Sequence, residues 1–187
     1  MEEWRGDKVI INLKRMKFFT VLFVGLTLMA CPLLAQEVDS ANLLNTGVEM
    51  PEFKLNSLDG KTITSDDLYG KVVLINFFAT WCPPCNMELP QLQKDVWEKY
   101  KDNGDFVLLV VDREETAEKV SSFVRKKKYT MPFYLDPKRE VYGLFATQYI
   151  PRNYLFNRES QLVLVSKGYS KEDFATLKRE VDALVKR

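Results

Sequence analysis

Cys82 and Cys85 stand two residues apart in Trp81-Cys82-Pro83-Pro84-Cys85, directly after an apolar run and directly before a helical pattern. That spacing lets both sulfurs lie on one side of a first helical turn. The first sulfur then meets the free amides and positive dipole end of the helix, which favour a thiolate. Proline is tolerated in that turn because the N–H it lacks has no helical partner. The chemistry on offer is dithiol–disulfide exchange. Cys82 is the expected nucleophile, since only a thiolate attacks. Cys85 is the expected resolving thiol, which opens the mixed disulfide. Two plainer readings compete, a stabilising disulfide and half of a metal site. The first gains little, because closing so short a loop constrains little chain. The second lacks ligands, since the chain has no histidine and only three cysteines.

The lack of imidazole also removes histidine-based triads, and Asn86 in place of histidine after Cys85 removes c-type haem attachment. No metal and no cofactor is expected. With 187 residues, 46% hydrophobic and 28% charged, the chain suits one globular domain with an adequate core. A formal charge of +1 gives no electrostatic case for nucleic acid.

The elements that must hold the pair can be read from periodicity. Glu52–Asn56 and Lys61–Thr64 flank the turn signal Ser57-Leu58-Asp59-Gly60 and predict a hairpin. Val72–Ala79, broken only by Asn76, and Phe106–Val111 are apolar runs of the kind found in strands buried on both faces. Between them Cys85, Leu89, Leu92, Val96 and Tyr100 mark one helix face, and Pro90 should kink that helix. Ala117, Val120, Phe123 and Val124 mark a second helix, and Phe133–Leu135 a short strand. Tyr154–Phe156 and Leu162–Val165 form a second hairpin. Ser170 caps a last helix that buries Phe174, Leu177, Val181 and Leu184. The order predicts an α/β domain with a mixed sheet. Arg125-Lys126-Lys127-Lys128 reads as a solvated helix end.

Lys14, Arg15 and Lys17 precede the uncharged stretch Phe18–Ala35, after which Gln36-Glu37 open a polar segment. Residues 1–35 therefore read as a signal peptide or membrane anchor, with Met16 the more natural start. Cleavage after Ala35 is favoured. The rivals are an uncleaved anchor over 18–35 and lipidation at Cys31, since Leu28-Met29-Ala30-Cys31 approaches a bacterial lipobox. All three place the domain outside the cytoplasm, in a periplasm, either soluble or membrane-anchored. Residues 36–47 read as a short linker and 48–187 as the domain.

Gly70 to Cys85, followed by Glu88 and Pro90, resembles exported thioredoxin-fold reductases of the TlpA/ResA type, themselves related to AhpC/TSA redoxins. The likeness runs from about Gly47 to the C-terminus. It takes in the N-terminal hairpin with Pro51 and Asp59-Gly60, and an inserted helix–strand unit at about 114–136. The resemblance implies a thioredoxin fold, a mixed central sheet flanked by helices. It also implies thiol–disulfide exchange on protein disulfides, with the dithiol restored by an upstream membrane donor. Apocytochrome c is one substrate so implied.

Cytoplasmic thioredoxins, similar to this chain, carry a buried Asp where Asn76 stands, and Asn cannot take a proton as a base does. Glu88, one helical turn after Cys85, is then the nearest titratable group. Its plain reading is a solvated helix carboxylate. Its functional reading, to which the resemblance also points, is a proton acceptor whose burial would push its pKa upward. Pro151 is acceptable simply as a strand's first residue. By resemblance it is the cis-proline that faces the cysteines, with the Ile150 backbone offering hydrogen bonds to an extended substrate. Trp81, Pro83 and Ile150 would form an apolar docking patch, although each can instead serve packing alone.

Three other readings stand beside the reductase. A peroxide-reducing relative would want a Pro-x-x-x-Thr-x-x-Cys pattern, which Pro83-Pro84 after Cys82 does not match. A disulfide-forming oxidant would use the same two cysteines in the opposite direction. A non-catalytic interaction module would need a Cys82–Cys85 bond that mild thiols leave intact.

Overall fold

The computed structural model describes residues 39–187, which form one compact unit. The signal, anchor and Cys31 readings fall on residues outside that range. Among the described residues no helix is long and apolar enough to cross a membrane.

The first hairpin pairs β1 (Lys54–Ser57) with β2 (Thr62–Thr64), followed by a single 3-10 turn at Asp66–Leu68. Strand β3 (Val72–Phe78) leads into helix α1 (Pro83–Leu92). Pro90 sits inside α1, and the helix continues through a π-helical stretch, Gln93–Trp97, into a last α-turn, Glu98–Tyr100. The predicted helix thus keeps its length but changes its winding beyond the proline. Strand β4 (Phe106–Arg113) follows, and helix α2 (Ala117–Lys127) with strand β5 (Phe133–Asp136) makes the expected inserted helix–strand unit. A short helix α3 (Tyr142–Phe145) precedes the second hairpin, β6 (Arg152–Phe156) and β7 (Leu162–Lys167), and α4 (Lys171–Val185) closes the chain.

The strands form one mixed sheet in the order β2-β1-β5-β4-β3-β6-β7. β3 lies parallel to β4 and antiparallel to β6, at the centre. All seven of its residues are buried, because both faces of the sheet are covered. On one face Leu74, Phe78, Leu108 and Val110 pack with Cys85, Leu89 and Leu92 of α1, Val120 of α2, and Leu177 and Val181 of α4. On the other, Phe77 meets Tyr142 and Phe145 with ring centroids 5.2 Å away in each case. That face explains α3, whose four residues are too few to show a period but bury Tyr142 and Phe145 completely.

Residues 39–47, read as part of a linker, lie against the domain. Ala41 is buried, Asn42 pairs with Ala146, and Gly47 N–H donates to Leu162 O at 2.7 Å. A charge explains the docking. Arg152 at the start of β6 is wholly buried, and its Nη2 donates to Asp39 Oδ2 at 2.7 Å. A buried guanidinium without a counter-ion would be costly. The linker reading therefore fails from Asp39 onward.

Ser170 caps α4 as predicted, accepting from Asp173 N–H at 3.0 Å. Ser170→Ala is expected to cost about 1 kcal/mol of stability in a urea titration, the usual worth of such a cap.

Candidate active site

β3 ends at Phe78, and the chain turns through Ala79-Thr80-Trp81 into the N-terminus of α1, where Cys82 is the N-cap residue. The two cysteines are disulfide-bonded, with Cα atoms 5.3 Å apart. Cys82 Sγ accepts from Cys85 N–H at 3.3 Å, so the first sulfur occupies the helix N-terminus that its spacing predicts. Pro83 takes the first helical position without losing a bond. Asn86 braces the turn, its Nδ2 donating to Thr80 O at 2.9 Å and Cys82 O at 3.0 Å. Cys82 keeps 2% exposure and Cys85 none.

The Ile150–Pro151 peptide is cis, and Ile150 O lies 3.7 Å from Cys82 Sγ. Strand β6 reaches this point because its register on β3 places Arg152 opposite Phe77, one residue short of the end of β3. The segment before the proline is pinned by Tyr142 Oη, which donates to Tyr149 O at 2.6 Å. Trp81 is 57% exposed and Pro83 is exposed, while Ile150 is half-buried. Packing alone therefore does not account for Trp81. Met87 and Tyr149 are two further exposed apolar side chains on the segments that carry Trp81, Pro83 and Ile150.

Glu88 is not the solvated carboxylate of the plain reading. It is buried on the sheet side of α1, where Asn153 Nδ2 donates to Oε1 at 2.7 Å and Asn76 Nδ2 donates to Oε2 at 2.9 Å. Burial pushes its pKa up to about 7, and the two amide donors only partly offset this. Asn76 and Asn153 face each other across β3 and β6, and Asn76 Nδ2 also donates to Asn153 Oδ1 at 2.8 Å. Asn153 in turn reaches Ser166 Oγ on β7 at 3.1 Å. Asn76 thus sits where a base is missing and instead steadies the carboxylate that lies one helical turn beyond the cysteines.

Asn153 carries no sequence signal of its role. It falls just before the predicted strand Tyr154–Phe156, and only the β3–β6 register brings it to Glu88. Asn153→Ala removes a donor to the carboxylate, so the Glu88 pKa should move further upward. A carboxyl titration followed by infrared spectroscopy or NMR checks the direction.

A cysteine pair at a helix N-terminus, a cis-proline opposite it and a buried carboxyl one turn behind define a thioredoxin-fold thiol–disulfide oxidoreductase. Comparison with known proteins agrees. Residues 46–165 match the AhpC/TSA family model. The chain is 32% identical over 120 residues to the thiol-disulfide oxidoreductase ResA of Bacillus cereus, covering 64% of this chain and 68% of that one. It is 31% identical over 125 residues to ResA of Bacillus subtilis, covering 67% and 69%. The solution structure of a Bacteroides thetaiotaomicron protein proposed as a protein disulfide isomerase superposes with a TM-score of 0.76 at 37% identity, over 79% of this chain and 94% of that chain. A Chlorobium tepidum protein proposed as the thiol:disulfide interchange protein DsbE superposes at 0.66 with 25% identity, over 76% and 99%. The chain belongs to the AhpC/TSA family, and it is a thiol–disulfide oxidoreductase.

Proposed function

We propose that this oxidoreductase is exported and works as a reductant of protein disulfides. The thiolate of Cys82 attacks one sulfur of the substrate disulfide, forming a mixed disulfide and releasing the first substrate thiolate. Cys85, its proton passed to Glu88, attacks Cys82 Sγ and releases the second. Two electrons leave the protein, which is left with the Cys82–Cys85 disulfide, and a membrane-bound dithiol donor restores the pair. The backbone of Ile150 at the cis-Pro151 turn pairs with the extended substrate, and Trp81, Pro83 and Ile150 give it apolar contact.

The observation that carries the direction is the burial of Glu88 one turn after Cys85, with amides and no cation as its hydrogen-bond partners. Once ionised, that carboxylate opposes a neighbouring thiolate. Strong oxidants of this kind owe their potential to a stabilised reduced form, and an ionised Glu88 works against that stabilisation. Export is supported by the basic residues ahead of the uncharged stretch Phe18–Ala35.

Equilibrium titration of the full chain against glutathione and dithiothreitol buffers tests the reading. A potential near or below about −270 mV is expected, while one near about −120 mV overturns it, because the protein would then give its disulfide away. Reduction of an oxidised apocytochrome c peptide, run alongside, asks whether that substrate is among those served.

A further inference from the structure

A pair of acidic side chains, Asp112 and Glu115, lies beside the cysteine turn and outside the network around Glu88. Asp112, wholly buried near the end of β4, stands opposite Phe78 of β3. The chain then reverses through Glu114, which holds a left-handed conformation (φ 74°) with its N–H on Asp136 O at 3.1 Å. For a side chain larger than glycine such a backbone is costly, and it persists where the surroundings enforce it. The reversal returns Glu115 N–H to Asp112 Oδ2 at 3.0 Å and aims the Glu115 carboxylate at the loop before Cys82. There it makes a two-pronged contact, accepting from Thr80 N–H at 2.5 Å on Oε2 and from Thr80 Oγ1 at 2.7 Å on Oε1. Lys119, one turn into α2, pairs with the same carboxylate.

We propose that Glu115, backed by Asp112, is a positioning residue of the redox site, holding the Thr80–Cys82 turn in place and so setting where the Cys82 sulfur stands. Thr80 is gripped from both sides, its N–H by Glu115 and its C=O by Asn86. Two residues on, the same backbone delivers the N-cap sulfur. The two carboxyls divide their roles by charge. Burial and the neighbouring Glu115 push Asp112 up to about 8. Burial works against an ionised Glu115 too, but the bonds from Lys119 and Thr80 outweigh it and hold that group below its ordinary value. Asp112 Oδ1 lacks a donor, which suits a protonated acid that gives its own hydrogen to Glu115. Glu115 and Lys119 are the charged groups that act on Asp112; its strand neighbours Phe78 and Leu135 are apolar.

The proposal rests on Cys82 being the attacking sulfur, and its test separates the two. The rate at which the reduced full chain reacts with dipyridyl disulfide is compared for wild type, Glu115→Ala, Glu115→Gln and Val120→Ala. Glu115→Ala should react about tenfold more slowly, since a misplaced nucleophile loses rate steeply. Glu115→Gln keeps an acceptor for Thr80 and should stay within about twofold, as should Val120→Ala, which loosens α2 without touching the turn. A normal rate in Glu115→Ala, an equal loss in Glu115→Gln, or an equal loss in Val120→Ala overturns the proposal. Should Glu115→Ala not fold, Thr80→Val removes one prong and must still slow the reaction by about threefold. If wild type itself ignores the probe, the nucleophile reading fails instead. The clamp is then judged by hydrogen exchange at the Thr80 amide, which must quicken about tenfold in Glu115→Ala and not in Glu115→Gln.

Discussion

A Cys85→Ser variant is expected to accumulate as a covalent adduct of its substrates, joined through Cys82, while turnover falls by at least about 10³-fold. The first attack needs only Cys82, which sits at the helix N-terminus. Release needs a second sulfur poised one turn away, and a serine hydroxyl cannot break the mixed disulfide. An external thiol can replace it only at its bulk concentration, which is far below the effective molarity of a group held in place. Cys82→Ser should lose turnover to the same extent and trap nothing. Non-reducing electrophoresis of both variants, with adducts released by dithiothreitol and identified by mass, gives the answer. Adducts on Cys82→Ser and none on Cys85→Ser would reverse the assignment of the two sulfurs.

The second large effect is on stability. Glu88 holds its proton to about pH 7 in the folded protein against an ordinary value of 4.5. Below 4.5 both folded and unfolded chains carry that proton, and the group does not bias folding against its neutral form. As pH rises from there, the unfolded chain releases the proton first, so stability declines through the window up to about 7 and levels off beyond it. A shift of this size is worth about 3 kcal/mol. Asp112, raised to about 8, acts in the same direction and carries the decline somewhat further. Glu88→Gln removes the ionisable group but sets an NH2 against an asparagine donor, so it starts lower than wild type near pH 4. Between pH 4 and pH 8 it should lose about 3 kcal/mol less than wild type. Urea titrations at pH 4, 6 and 8 measure both curves. Parallel curves would mean that Glu88 ionises without cost in its buried place.

The cysteine site was largely legible in the sequence because its logic is local. A buried strand, a tight turn, an N-cap and prolines tolerated in a first helical turn occupy neighbouring positions, and spacing alone places them. The cis-proline at 151 was reached through family likeness, since strand entry explains a proline there equally well. The groups that steady the site were not legible. Asn153 meets Glu88 across 65 positions of chain, and Glu115 meets Thr80 across 35. Such meetings depend on strand register and on a left-handed turn at Glu114, neither of which has a periodicity to betray it. Asp112 lies one residue past the apolar run Phe106–Val111 and carries no signal of its own. The short helix α3 was hidden for a different reason, because four residues cannot express a repeat of 3.6.

For a chain drifting under mutation, the two asparagines and Glu88 are one position spread over three. A single amide group of Asn76 serves both Glu88 and Asn153, and Asn153 serves Glu88 and Ser166. No one of them can be exchanged at the cost its own contacts suggest, since each substitution also strands a partner's buried polar atom. Tolerated change here should come in pairs: a variant that gives up the acid at 88 frees both asparagines, and one that gives up Asn153 weakens the case for keeping the acid. In a library randomised at these three codons, survivors should be sparse among single replacements and richer among matched doubles.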